Sequence, residues 1–282
     1  AKHDDKYDIE VLHDDAFVIS VEDGSSVALE PSYFDKTNDY PAGHREQDYF
    51  VTVQNCGVTL DENGRKVLVT EDIRNGNGRT IKSRYSTPNR VDKIQEPIQS
   101  IFWIMKDDAL PPLVKITDPR LASILGCTLM TKRSTAENTG AGANLDALVI
   151  EPYANPFRVY PLVEDYEKFK ALFDKGVDCY IINTGDFLGK KVTKEVSLGV
   201  IETVVDGKAN FELFGGLPGM EYLPVEGYEV PDMNGEYAEL IRDRMQFRLD
   251  YLKAFNDANP EHQIPQDALE SIKTIERFID VL

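Results

Sequence analysis

The sequence predicts an α/β protein of mixed helices and strands, on three observations. Short β-type runs fill the chain from about residue 7 to residue 85. An amphipathic helix at 163–175 leads directly into a buried apolar strand at 177–182, a helix–strand unit that is typical of α/β folds. Two further amphipathic helices are predicted at 236–255 and 267–282.

Turn and capping residues place the earlier elements of this pattern. Residues 61–64 read Asp-Glu-Asn-Gly, which predicts a hairpin turn between strands at 57–60 and 66–70. Asp118 is a suitable N-cap, and Pro119 suits the first position of the helix that follows, because the N–H that proline lacks has no helical partner there.

Further along the chain, glycine and threonine mark where helices end and begin. Gly176 is placed to end the helix at 163–175, since glycine adopts the left-handed conformation of helix C-termini without a steric cost. Thr193 is the predicted N-cap of another helix at 193–205. Residues 211–231 are rich in Gly and Pro, which predicts a long irregular segment.

These changes of pattern divide the chain into three parts. We expect residues 1–90 to form a β-rich part of the core, 91–231 an α/β lobe, and 232–282 a C-terminal helical segment. Small and polar residues at 138–144 predict a loop, and the surrounding stretch near 133–145 is a candidate lid.

Charge and cysteine content exclude several classes of protein. With 31 basic and 49 acidic side chains the net charge is −18, which argues against nucleic-acid and anionic-membrane partners. No apolar run is long enough to cross a bilayer. Cys56, Cys127 and Cys179 lie far apart in apolar surroundings, so we expect reduced thiols and a cytoplasmic protein.

The pair Asp14-Asp15 is a candidate metal site between two predicted strands. Carboxylate oxygens are the ligands that hard divalent cations prefer, and they suit a metal that bridges phosphate oxygens. Neighbouring strand residues point to opposite faces, so only one of the two is expected to bind the metal directly. An ordinary acidic turn is the alternative interpretation.

Arg79 is a candidate anion-binding residue. Its planar guanidinium can hold two oxygens at once and stays charged, and Arg74, Lys82 and Arg84 add local positive charge to an acidic chain. A surface arginine that follows a turn is the alternative interpretation.

Several short strings recur in an order that resembles the C-terminal half of phosphoenolpyruvate carboxykinase, closer to the ATP-using form. The strings are Asp14-Asp15, the stretch 30–37 with Glu30, Tyr33, Lys36 and Thr37, then Asn77 with Arg79, Leu110-Pro111-Pro112, Thr135-Ala136, Glu151-Pro152 and Asn183-Thr184-Gly185. The resemblance spans about residues 11–231. It implies a carboxykinase-like nucleotide-binding lobe followed by C-terminal helices.

The resemblance also implies roles for individual residues. Asp15 corresponds to a direct ligand of Mn²⁺ or Mg²⁺ with Asp14 as its partner, and Arg79 to the arginine that reaches the transferred phosphate. Glu30 corresponds to a glutamate near the nucleotide. A last group, Glu151, Tyr153 and Asn155, is expected to line the ATP site.

We therefore expect a fragment of an ATP- and metal-dependent phosphoryl-transfer protein that acts on a small carboxylate, with oxaloacetate decarboxylation as the reaction the family suggests. Its partner would be an upstream half with the phosphate loop, without which this chain is expected to be inactive. The alternative is a non-catalytic nucleotide-sensing or scaffold module, which Glu137 favours because it reverses the charge of the family's lid lysine.

Overall fold

A computed structural model shows that the protein has a mixed α/β fold, as the sequence predicts. The described residues are 6–14, 16–36, 53–54, 57–68, 79–85, 87–132, 148–155 and 158–282. The chain divides into two compact units, Ala1–Ile98 and Gln99–Leu282. The predicted lid near 133–145 lies outside the described residues.

Short antiparallel strands make up the described part of the first unit. In chain order, β1 to β8 are Phe17–Ile19, Ser26–Ala28, Ser32–Lys36, Val53–Gln54, Val58–Leu60, Lys66–Leu68, Arg79–Ser83 and Lys93–Ile94. One sheet has the order β1-β2-β8, a second has β7 between β3 and β4, and β5 pairs with β6.

The β5–β6 hairpin turns where the sequence predicts. The Asp61 carboxylate accepts hydrogen bonds from the main-chain N–H groups of Asn63 at 2.9 Å and Arg65 at 2.8 Å. Gly64 has φ +74°, a left-handed conformation that a side chain would disfavour.

A five-stranded sheet lies at the centre of the second unit. Strands β9 to β17 are Ser100–Met105, Leu113–Ile116, Met130–Lys132, Leu148–Ile150, Asp178–Asn183, Asp186–Phe187, Lys190–Lys191, Glu212–Leu213 and Met220–Tyr222. The order in the sheet is β16-β17-β10-β13-β9, and β9 runs parallel to β13. The pairs β11–β12 and β14–β15 are antiparallel.

The helices of the second unit begin and end largely as their capping residues predict. Helices α1 to α5 are Pro119–Cys127, Leu162–Asp174, Lys194–Val205, Gly235–Ala258 and Gln266–Ile279. The Asp118 carboxylate accepts from the main-chain N–H groups of Arg120 and Leu121 at 2.8 and 3.1 Å. Gly176, with φ +95°, follows the end of α2. Within the ranges that the structure describes, no helix is long and apolar enough to span a membrane.

Both faces of the central sheet are covered by apolar side chains. On β13, Cys179 and Ile181 belong to the large core cluster that also contains residues of α1, α2, α4 and α5. Tyr180 and Ile182 face the other way and pack with Val200 of α3 in a second cluster. Burial on both faces explains the unbroken apolar run of this strand in the sequence.

Candidate functional site

In the first unit, Asp14 lies in a turn that is closed by the side chain of His13. The main-chain N–H of Ala16 donates to Nδ1 of His13 at 2.8 Å, so Nδ1 is an acceptor and Nε2 carries the hydrogen. Nε2 lies 3.3 Å from the main-chain oxygen of Ser32 and 3.5 Å from a carboxylate oxygen of Glu30. The imidazole is fully buried, whereas Asp14 is exposed.

Arg90 anchors the main chain at Glu30 from a distant part of the sequence. Its buried guanidinium donates to the main-chain oxygen of Glu30 at 3.0 Å and to Asp92 at 2.9 Å, and also to the main-chain oxygen of Val91. The guanidinium carbon is 6.0 Å from the centre of the Tyr33 ring. Sequence reasoning missed Arg90, because a contact over this separation leaves no local pattern.

Tyr33 joins these groups into one cluster. Its ring meets the His13 ring edge to face, with the centroids 5.5 Å apart. The structure therefore brings the predicted residue Glu30 together with His13, Tyr33 and Arg90. Sequence reasoning also missed His13, although its position directly before Asp14 was visible.

The basic strand β7 presents its charges on two faces. Tyr33 of β3 lies opposite Lys82, which is buried, whereas Arg79 lies opposite Lys36. Because side chains alternate along a strand, Arg79 lies on the opposite face from Lys82 and about 10 Å further along β7. Arg84, in the turn that follows β7, forms an exposed ion pair with Asp92 at 2.7 Å.

Of the two predicted metal ligands, Asp14 and Asp15, the structure describes only Asp14. The carboxylate of Asp14 is a hard oxygen donor at an exposed position and suits Mg²⁺ or Mn²⁺. Asp15, the expected direct ligand, lies outside the described residues. Among the residues whose placement is described, no three His, Cys, Asp or Glu side chains form a metal-holding group.

In the second unit, the predicted nucleotide segment at 151–155 is a left-handed turn. The N–H of Glu151 donates to the main-chain oxygen of Leu129 at 2.9 Å, and a short 3₁₀ turn, Pro152–Ala154, follows. Tyr153 and Ala154 have φ values of +52° and +51°. Such conformations cost side-chain-bearing residues about 1–3 kcal/mol each and often mark functional segments.

The Tyr153 side chain is directed into the core. Its ring stacks on Phe169 with the centroids 4.6 Å apart and meets Trp103 edge to face at 5.5 Å. The hydroxyl donates to the main-chain oxygen of Ser123 at 2.9 Å and accepts from the thiol of Cys127 at 3.2 Å. Any contact between Tyr153 and a ligand would therefore be made by its main chain.

Burial keeps both partners of this contact protonated. Removal from water raises the pKa of the Cys127 thiol to about 12 and that of the Tyr153 hydroxyl well above its ordinary value. Glu151 and Asn155, the other predicted residues of the segment, are half-buried on either side of the left-handed pair.

Asn183 organises the loops at the carboxyl ends of the parallel strands β9 and β13. Its amide nitrogen lies 2.8, 2.6 and 2.9 Å from the main-chain oxygens of Asp107, Leu110 and Asp186. Its amide oxygen accepts from the N–H of Gly185 at 2.9 Å. Ligands of open α/β sheets bind at this end of the strands, which is where the Asn-Thr-Gly string of the sequence lies.

The predicted residues thus fall into two groups. Asp14, Glu30 and Arg79 belong to the first unit, and Glu151, Tyr153 and Asn155 belong to the second. No protein-family model matches the chain, and no curated protein sequence matches it.

Proposed function

We propose that this chain is the carboxykinase-like lobe, with C-terminal helices, of an ATP- and divalent-metal-dependent phosphoryl-transfer protein. The observation that carries the proposal is the left-handed turn at 151–155. Two consecutive residues with side chains, Tyr153 and Ala154, adopt a costly conformation in the segment where the sequence motifs expect the nucleotide. Residues held in such conformations cluster at active sites and ligand clamps.

Under this proposal the first unit handles metal and phosphate. The metal, when bound, would neutralise charge on the phosphate oxygens. Asp15 would be the direct oxygen ligand with Asp14 as its partner, and His13 would hold the turn at Asp14 through its hydrogen bond with Ala16. Arg79 would bind the transferred phosphoryl group, since its fork can hold two oxygens and keeps its charge.

The reaction that the resemblance suggests is phosphorylation coupled to decarboxylation of a small dicarboxylate such as oxaloacetate. The carbon–carbon bond to the leaving carboxylate breaks and releases CO₂. The enolate oxygen then attacks the γ-phosphorus of ATP, and ADP leaves. A cationic side chain such as Arg79 would stabilise charge on the phosphoryl group as it moves.

A second candidate function is a non-catalytic nucleotide-sensing or scaffold module. The specific observation that favours it is the arrangement of β7. Arg79 lies on the opposite face of this strand from Lys82 and Tyr33, and so on the other face from the cluster that contains Glu30.

Calorimetric titration of ATP with Mn²⁺ into the full-length protein tests the proposal. We expect metal-dependent binding that is lost in Asp15→Asn and retained in Asp8→Asn, which makes the same charge change at an exposed position of the first unit. Absence of binding to the unaltered protein would overturn the proposal in favour of a scaffold without nucleotide.

Turnover separates the two candidate functions once binding is established. Release of CO₂ from oxaloacetate in the presence of ATP should be abolished by Arg79→Ala. The control is Arg65→Ala, at an exposed position in the β5–β6 hairpin. ATP binding without turnover in the unaltered protein would support the sensing module instead.

A further inference from the structure

A groove of about 620 Å³ lies beside α3 in the second unit. Its volume is within the range of small-molecule sites, about 300–1,000 Å³. Val200 and Leu223 are buried in the smaller core cluster, and Val225 packs against that cluster. We call this cavity the α3 groove, and five apolar side chains form its floor: Val196, Val200, Leu223, Pro224 and Val225.

Gly199 keeps the α3 side of the groove open. It lies in the middle of the helix, where glycine is less favourable than alanine. No atom of the described residues would lie within 4 Å of a Cβ atom at this position, so close packing does not require glycine. Because its φ is not positive, a turn does not require it either. A larger side chain at 199 would extend into the groove that Gly199 lines.

The polar groups of the α3 groove are mainly hydrogen-bond acceptors. The hydroxyl of Thr203 donates to the main-chain oxygen of Gly199 at 2.8 Å, which leaves its lone pairs for a ligand. Glu212 and Glu226 add carboxylates at exposed positions, and Asn210 adds an amide that can donate or accept. A ligand that satisfies these groups must therefore be rich in N–H or O–H donors.

The charges at the groove favour a cation. Lys208 carries the positive charge among the lining residues, and its ammonium lies 2.8 Å from the carboxylate of Asp206. Glu212 accepts from the hydroxyl of Tyr222 at 3.1 Å, a neutral donor that leaves the carboxylate its charge. Lys208 also follows the C-terminal end of α3, where the helix dipole attracts positive charge. The groove therefore combines negative potential with apolar surface.

We propose that the α3 groove binds a small aliphatic amine. Its ammonium group contacts the carboxylates of Glu212 and Glu226, and its hydrocarbon chain packs on the apolar floor. An ammonium group fits because it has three donors, a positive charge and no acceptor. The residues that line the groove are not those of the proposed ATP and metal sites, so the inference stands whether or not the protein binds ATP.

The alternative is a surface groove that holds only water. Three probes separate the two cases: n-hexylammonium, 1-hexanol and hexanoate, which share one length of hydrocarbon chain and carry a positive, no and a negative charge. A groove that selects only for apolar surface binds all three alike, whereas the proposed site ranks them by charge.

The test titrates each probe into the full-length protein with isotope-labelled valine methyl groups. Val196, Val200 and Val225 line the groove, so shifts of their methyl signals report binding at this place. We expect saturable shifts with hexylammonium, at an affinity about ten-fold higher than that of hexanoate, with hexanol in between. No saturable shift with hexylammonium, equal affinities for the three probes, or tighter binding of hexanoate would overturn the proposal.

Gly199→Leu fills the groove from the side of the helix. It should lower the affinity for hexylammonium about ten-fold, because the leucine side chain takes the place of the hydrocarbon chain. The matched control is Val205→Leu, which enlarges a 62% exposed side chain of the same helix outside the groove. That variant should leave the affinity unchanged.

Glu226→Gln provides a second variant, at an exposed position where the fold does not depend on the side chain. It should lower the affinity for hexylammonium about three-fold and leave that for hexanol unchanged, since hexanol has no charge. Glu239→Gln, at an exposed position of α4, makes the same charge change outside the groove and should alter neither affinity. An unchanged affinity for hexylammonium in both Gly199→Leu and Glu226→Gln would overturn the proposal.

Discussion

The two units of this protein bury different kinds of side chain. In the described part of the first unit, Leu12 is the only buried hydrophobic residue, and the other buried side chains are polar or charged. These are His13, Ser25, Ser26, Lys82, Thr87 and Arg90. The second unit has a large apolar core around its central sheet. The described part of the first unit therefore depends on directional hydrogen bonds, and that of the second on apolar packing.

The second unit also buries one cluster of charged side chains, in addition to its apolar core. Arg248 of α4, 1% exposed, donates to the fully buried carboxylate of Asp107 at 3.1 Å. Arg244 donates to the same carboxylate at 3.2 Å and to Asp108 at 2.6 Å. Burial lowers the pKa of Arg248, so the charge of Asp107 is needed to offset the loss of water.

The largest effect is expected at this cluster. Asp107→Asn should lower the free energy of unfolding by about 3–5 kcal/mol, because it leaves Arg248 charged and buried without a partner. Urea unfolding followed by fluorescence of Trp103, the one tryptophan of the chain, measures the change in this unit. Asp108→Asn, at a half-exposed carboxylate, should cost only about 0–1 kcal/mol. Equal costs at the two positions would contradict the importance of burial.

A smaller effect is expected from the polar interior of the first unit. His13→Leu replaces the imidazole with an apolar side chain of similar size and removes the acceptor of the Ala16 N–H. The free energy of unfolding should fall by about 1–3 kcal/mol. Hydrogen exchange at the Ala16 amide should become faster in this variant. His262→Leu, at an exposed histidine of the second unit, should leave that exchange rate unchanged.

The buried thiol of Cys127 predicts a pH dependence of stability in the second unit. Its pKa is raised from 9.0 to about 12, so between these values the unfolded chain loses a proton that the folded chain keeps. Stability from this group is complete below pH 9 and falls as pH rises, by about 1 kcal/mol between pH 8 and pH 10. Cys127→Ala should show a correspondingly shallower decline in urea unfolding. An identical decline would place the dependence on other groups.

The smallest effects concern the loss of one or two carbon atoms from aliphatic side chains. Ile181→Val, in the fully buried centre of β13, should cost about 0.5–1.5 kcal/mol in thermal or urea unfolding, since it leaves a small cavity. Val27→Ala in β2, at a side chain that is 44% exposed, should cost less, about 0.5 kcal/mol or below. A larger cost at Val27 would show that the first unit also depends on apolar packing.

Local features of the fold were predictable from the sequence, and contacts between distant residues were not. Asp118, Gly176 and the turn at 61–64 act on main-chain groups within a few residues, so their patterns are visible in the sequence. The fit of Tyr153 against Gly126 and the link from Arg90 to Glu30 depend on packing between separate segments. Neither leaves a periodic signal.

The same distinction applies to the candidate site. The motif at Glu151-Pro152 could be located from the sequence, but the left-handed conformation of Tyr153 and Ala154 could not, because neither residue type favours it. The separation of Arg79 from Lys82 likewise follows only once 79–83 is known to be a strand, because side chains alternate along it. Charge clustering in the sequence does not distinguish the two faces of a strand.

The parallel pairing of β9 with β13 has a consequence for how the protein is made. Ser100 pairs with Asp178, so β9 leaves the ribosome well before its partner strand exists. During that interval β10, α1, β11, β12 and α2 are synthesised. Both edges of the apolar strand β9 are then without the hydrogen-bonding partner β13. We therefore expect slow folding, with an aggregation-prone strand edge exposed until β13 has been made.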